Sequence, residues 1–292
     1  MVRILDFFAA SGHIYGMNKD FVFPTRESGQ IQVSISGVEL LADFPVVIFV
    51  HGFKGFKDWG FGPYLAEYFS ENGLPVIRFN FSHNGIGEKA DEFTELEKFA
   101  KNTFTLEVSE LGQIIDAYLS GFFAEKVFGK FFLLGHSRGG GIALLSSRHS
   151  PHILGTATWA AISNIDRWSE RQKKEWRRLG YIELLNTRTQ QKMHLNKELF
   201  DDIEKHKDGA LNILKAAGEL KTPVLLVHGE LDMVVPIAEA WSIYGVLNSS
   251  IARLEAIPRT GHTFDIVHPF EKCSFSFNIA LQKTLDFFTE NI

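Results

Sequence analysis

Three uninterrupted apolar runs constrain this chain more than any other feature: "PVVIFVHGF" at 45–53, "KFFLLGHS" at 130–137 and "TPVLLVHGELD" at 222–232. Each has the length of a strand and breaks into a glycine-bearing turn. Apolar runs without polar alternation suit strands covered on both faces, as in a parallel sheet. Helical patterns lie between them: "GPYLAEYFSENG" with Gly73 as its stop, a long amphipathic pattern over 95–120, and "RGGGIALLSSRHS" ending before Pro151. "LPVIRFNF", "ILGTATWAAIS" and "SIARLEAIP" read as further strands, "PIAEAWSIYGVL" and 268–292 as further helices. Strands alternating with helices predict an α/β fold: a mostly parallel central sheet, right-handed crossovers and helices on both faces. Two leading strands, "KDFVFPT" and "QIQVSISG", have no helix between them and fit an antiparallel edge.

One stretch interrupts the alternation. Residues 164–221 are polar, rich in Arg, Lys and Glu, and carry no buried-strand signal. They read as a small helical cap inserted into a core domain made of 1–163 and 222–292. Within it "RWSERQKKEWRRLGY" is the richest basic cluster, but Glu170 and Glu175 are interspersed, which fits a solvated helix face.

Charge and cysteine content narrow the functional classes. The net charge of −5 and the lack of a long basic tract leave no electrostatic footprint for nucleic acid. Cys273 is the single cysteine, so no disulfide forms within the chain, which favours the cytoplasm. The amino-terminal "MVRILDFFAASGH" does not read as a signal peptide, because Asp6 interrupts an already short apolar run. No segment approaches the 18 or more apolar residues of a membrane span. Neither H-E-x-x-H nor H-x-H spacing occurs, so no metal and no cofactor is predicted.

The chemistry concentrates at "GHSRG", 135–139, on the seam between an apolar strand and a helix. G-x-S-x-G in that context is a nucleophile elbow: the turn is tight enough to strain the serine backbone, and side chains two residues to either side would collide. Gly135 and Gly139 fill those places. A serine hydroxyl needs a base and the base needs an orienting acid. Asp232 in the loop after "VLLVHGELD" and His262 after "SIARLEAIP" supply both, in the chain order Ser, Asp, His, at the carboxyl edge of one parallel sheet. Two other carboxylates compete for the acid role. Asp265 is too near His262 in sequence, and Glu230 precedes Asp232 in the same loop. His51, His136 and His228 also fall at strand ends and read as groups that shape the floor of the site. Candidate oxyanion donors are the backbone N–H of Arg138, directly after the serine, and that of Phe53 in the "VHGFKGFKDWG" loop. Phe53, Phe56, Trp59, Phe61 and Trp168 are candidates for an apolar or aromatic acyl pocket, and equally for core or surface positions.

"FVHGF", "GHSRGG", "HGELDMVVP" and "GHTF", in that order, resemble the α/β-hydrolase superfamily, over nearly the whole chain from about residue 20. Within it the sequence is most similar to serine esterases of the cinnamoyl or feruloyl type and to the dienelactone-hydrolase-like group. Dienelactone hydrolases proper carry a cysteine where Ser137 stands. Haloalkane dehalogenases and epoxide hydrolases carry a carboxylate there. The resemblance therefore implies Ser137 as nucleophile, His262 as general acid and base, and Asp232 as orienting acid. It also implies a cap over the pocket and a small-molecule ester substrate. The same triad would serve a thioesterase, an acyl-peptide hydrolase or an acyltransferase. A catalytically silent binding homologue would be marked by loss of a triad residue, and none is lost.

Overall fold

A computed structural model describes residues 17–292, apart from Ser28, Ala90, His149, Thr187 and Arg188. The sequence-level reading of the amino-terminal segment lies outside these residues. In chain order the elements begin with β1 (Asn18–Pro24), β2 (Gln30–Ser36), β3 (Val46–Val50), α1 (Gly62–Glu71) and β4 (Val76–Phe79). The chain continues through α2 (Leu96–Ala100), α3 (Phe104–Leu119), β5 (Phe131–His136), α4 (Arg138–Ser147) and β6 (Ile153–Trp159). Next come α5 (Glu170–Leu179), a hairpin of β7 (Tyr181–Asn186) and β8 (Gln191–Asn196), α6 (Lys197–His206) and α7 (Ile213–Glu219). It closes with β9 (Val224–Gly229), α8 (Ala238–Val246), β10 (Ala252–Ile257) and α9 (Phe275–Glu290).

Eight strands form one sheet in the order β1-β2-β4-β3-β5-β6-β9-β10. The strands from β4 to β10 pair in parallel, while β1 and β2 run antiparallel at one edge. The apolar runs explain why the centre is buried on both sides. Successive side chains of a strand point to opposite faces. Val46, Ile48 and Val50 of β3, with Phe131 and Leu133 of β5, join the core under α3 and α4. Val47, Phe49, Phe132 and Leu134 join the opposite core, under α1 and α9. A strand serving two cores has no position free for a polar residue, so alternation is absent from these segments. Trp159 belongs to the second core and donates its indole N–H to Thr284 Oγ1 of α9 at 2.9 Å.

Three boundaries differ from the sequence reading. The helix expected over 95–120 is two helices, broken at Lys101–Thr103. Asn102 turns its amide inward onto Glu107 at 2.7 Å, and the Thr103 hydroxyl accepts from Leu106 N–H, capping α3. The closing helix starts at Phe275 and not at His268, because Ser274 Oγ accepts from Phe277 N–H and fixes the first turn there. Within 164–221 the helices are joined by the β7–β8 pair, which the reading as a helical cap without a buried-strand signal did not contain. Ile182 on β7 pairs with Leu195 on β8, and both are buried while Tyr181, Glu183 and His194 beside them are exposed. That alternation of period two is the strand signal, carried by six residues on each side.

Candidate active site

Ser137 sits between β5 and α4 with φ 57° and ψ −120°, a conformation that L-residues avoid. Its backbone is held from both sides. Ser137 N–H donates to the Trp159 carbonyl at 2.8 Å, and its own carbonyl accepts from Gly140, Gly141 and Ile162 N–H at 3.0–3.3 Å. The flanking glycines are sterically required. A Cβ on Gly139 would lie 2.2 Å from the Val50 carbonyl oxygen, and one on Gly135 would lie 2.3 Å from the Gly139 oxygen. The loop after β3 approaches just as closely, since a Cβ on Gly52 would lie 3.0 Å from Ser137 Cβ. The residue next to Gly52 is Phe53.

Asp232 follows β9 and is almost wholly buried. Its Oδ2 lies 2.7 Å from His262 Nδ1 and 3.3 Å from His228 Nε2. Its Oδ1 accepts from Val234 N–H at 2.8 Å and Val235 N–H at 2.9 Å. Burial raises this carboxyl, but the hydrogen bonds from His228, His262 and the Val235 amide overturn that effect and hold it well below the usual carboxylate range. The competing carboxylates Glu230 and Asp265 are exposed, and neither takes the place of Asp232 on His262.

His51 and His136, at two other strand ends, are buried and held by backbone hydrogen bonds. His51 Nδ1–H donates to Gly52 O at 3.0 Å while Nε2 accepts from Phe81 N–H at 3.3 Å. Burial pushes its pKa down to about 4. His136 Nε2–H donates to the His262 carbonyl at 3.0 Å, and burial, aided by the neighbouring His262, pushes its pKa down to about 3.

The sequence reading placed Arg138 only through its backbone and missed the partner of its side chain. Arg138 Nε donates to Glu107 Oε2 at 2.7 Å, with both side chains more than nine-tenths buried. Its guanidinium carbon also stands 3.8 Å from the Phe104 ring centroid. A glutamate at an otherwise inward-facing position of the 95–120 pattern was the available signal.

Two cavities meet at Ser137 and His262, and both are lined by these residues together with Phe53 and Lys54. The smaller, about 140 Å³, is walled by Phe56, Trp59, Phe61 and His136. The larger, about 400 Å³, is walled by Phe104, Ile162, Val234 and Val235, and from the inserted segment by Ile165, Trp168, Leu184 and Leu199. Of the aromatic residues singled out in the sequence, four line the small cavity and Trp168 the large one; Phe56 and Phe61 are also fully buried in the core. Among the described residues, no group of three or more His, Cys, Asp or Glu side chains is gathered in a way that could hold a metal ion. No helix among them is long and apolar enough to cross a membrane.

A strained serine between a strand and a helix, with an Asp–His pair from two later strand ends of the same sheet, is the arrangement of an α/β hydrolase. The model of the alpha/beta hydrolase family matches residues 47–273, and the chain belongs to that family. Solved structures share its fold at low sequence identity. Est1E from Butyrivibrio proteoclasticus with ferulic acid bound superposes with a TM-score of 0.69 at 16% identity, over 93% of this chain and 98% of that one. The monoacylglycerol lipase of Paleococcus ferrophilus gives 0.62 at 16% identity, over 96% and 100%. The α/β hydrolase GrgF from Penicillium sp. sh18 gives 0.69 at 15% identity, over 94% and 99%. No curated protein matches the chain in sequence.

Proposed function

We propose that this hydrolase is a serine esterase that cleaves carboxylic esters through an acyl-enzyme intermediate. The observation that carries the reading is the 2.7 Å contact between His262 Nδ1 and Asp232 Oδ2 in a ring that shares both cavity walls with Ser137. With Nδ1–H committed to Asp232, Nε2 is the basic nitrogen. It takes the Ser137 proton as Oγ bonds to the ester carbonyl carbon. The alcohol leaves with that proton when the C–O bond breaks. Water then gives a proton to Nε2, its oxygen bonds to the acyl carbon, and the acid departs as Ser137 recovers its hydrogen.

The developing oxyanion is held by the amides of Phe53 and Arg138. Arg138 opens α4, where the first N–H groups of a helix lack intrahelical partners, and neither amide donates in any turn, loop or cap hydrogen bond among the described residues. Each such donor lowers the barrier by about 2.7–4 kcal/mol. Segment 164–221 acts as the cap, a role supported by the side chains it places in the larger cavity. Lone Cys273, half-buried beside Ser274, fits a reducing cytoplasm.

The test is Ser137→Ala. The wild type is expected to hydrolyse p-nitrophenyl acetate and to be labelled by a fluorophosphonate probe, and the variant to lose both. Full activity in the variant removes Ser137 from the mechanism. A wild type that neither turns over nor labels leaves a binding protein.

A further inference from the structure

The walls shared by the two cavities carry one cation with no carboxylate to neutralise it. Three basic side chains line the larger cavity: Lys54, Arg138 and Arg167. No Asp or Glu does. Arg138 is paired with Glu107 and Arg167 with Glu239. Lys54 has no ion-pair or hydrogen-bond partner among the described residues, and it is the only one of the three that also lines the smaller cavity. Its Nζ stands 5.9 Å from the ring centroid of Phe53, which lines both cavities together with Ser137 and His262. The lysine is half-buried, and that burial lowers its pKa, with no opposite charge beside it among the described residues to offset the desolvation. Lys54 is held at φ 55°, a left-handed conformation uncommon for a residue with a side chain. Arg138 Nη2 adds a second unsatisfied donor, buried and without a hydrogen-bond partner among the described residues. Otherwise the walls of the larger cavity are mostly apolar. They leave a single excess positive charge, which a monovalent anion matches.

We propose that the ester taken by this site carries a carboxylate, and that Lys54 selects it. The inference rests on the esterase reading and narrows it to half-esters and acyloxy acids. A carboxylate reaching Lys54 exchanges water for an ion pair in a partly desolvated pocket, whereas a neutral chain leaves the ammonium stranded. Because Lys54 borders both cavities, the carboxylate belongs to either the acyl or the alcohol part, and two substrate pairs separate these cases. Ethyl hydrogen adipate against its primary amide probes the acyl side, and 4-acetoxybutanoate against 4-acetoxybutanamide probes the alcohol side.

The reading is the ratio of kcat/KM for acid over amide within each variant, which cancels any general damage to the Phe53 turn. In one pair the wild-type ratio is expected to be about tenfold or more and to shrink as salt rises. It should fall to near one in Lys54→Met, invert in Lys54→Glu and persist in Lys54→Arg. Calorimetric binding of the same pairs to Ser137→Ala reads the preference without turnover, and the double variant with Lys54→Met should lose it. Wild-type ratios of one or below in both pairs, or a preference that survives Lys54→Met, overturn the proposal. Absence of turnover with a binding preference intact overturns the esterase reading and leaves Lys54 as the anion site.

Discussion

His228 and His262 converge on one oxygen of Asp232, at 3.3 Å and 2.7 Å, so the carboxylate that holds His262 is itself buttressed by a second ring. His228 Nε2–H is shared with the Val235 carbonyl at 2.7 Å. On the triad reading, Asp232→Asn presents the wrong hydrogen-bond character to Nδ1 and lowers kcat by about 10⁴-fold. His228→Leu removes a donor shared between this carboxylate and the Val235 carbonyl, the charged bond being worth about 1.5–3 kcal/mol, and lowers kcat by about tenfold to a hundredfold. Steady-state kinetics on an activated ester checks the order. Equal losses would show that His228 does more than steady Asp232.

Arg138 and Glu107 predict a stability effect separable from chemistry. Glu107→Gln leaves a buried guanidinium without its counter-charge, and urea unfolding should show a loss of about 3–5 kcal/mol. Glu107→Leu with Arg138→Leu removes both charges, and should recover a large part of that loss. A double variant no more stable than Glu107→Gln alone would refute charge isolation as the cause.

Glu110 gives a prediction in pH. It is buried on α3 and accepts from Ser82 N–H at 2.9 Å, and burial raises its pKa to about 7. An acid whose folded pKa exceeds its unfolded value binds its proton more tightly when folded. Its contribution is therefore most favourable below the unfolded pKa near 4.5 and is lost as pH rises to about 7, by on the order of 3 kcal/mol. The stability of wild type relative to Glu110→Gln should decline across that window and level off above it. Parallel curves for the two proteins would rule out Glu110 as the titrating group.

Gly139→Ala tests the geometry of the elbow. The added methyl would lie 2.2 Å from the Val50 oxygen, which belongs to the central strand β3 and has little room to move. The variant is expected to lose several kcal/mol in urea unfolding, or to fail to accumulate as folded protein. A stable, active variant would show that the turn has room to spare.

Much of this was readable from the residues because the signals were short-range. An apolar run with no polar position states that both faces of a strand are covered, and β3, β5 and β9 follow it closely. The glycines around Ser137 state a steric limit that any fold must satisfy. Asp232 and His262 could be named because each follows a strand whose end lies on the same sheet edge. The break at Lys101–Thr103 was hidden, since Asn102 and Thr103 act through side-chain hydrogen bonds that leave the helical period intact on either side. The β7–β8 pair was hidden by the polar composition of its exposed positions. Glu107 required knowing which residue it would face across the core, and the lack of a carboxylate partner for Lys54 among the described residues required knowing which side chains the fold gathers around it.

The backbone of Ser137 is clamped by β6 through Trp159 and by the first turn of α4. On the esterase reading, whatever adjusts when a ligand enters is therefore recruited from the surrounding walls, while the Ser137 backbone stays where the sheet puts it. On that reading the 164–221 segment can be rebuilt for a new substrate without disturbing the elbow.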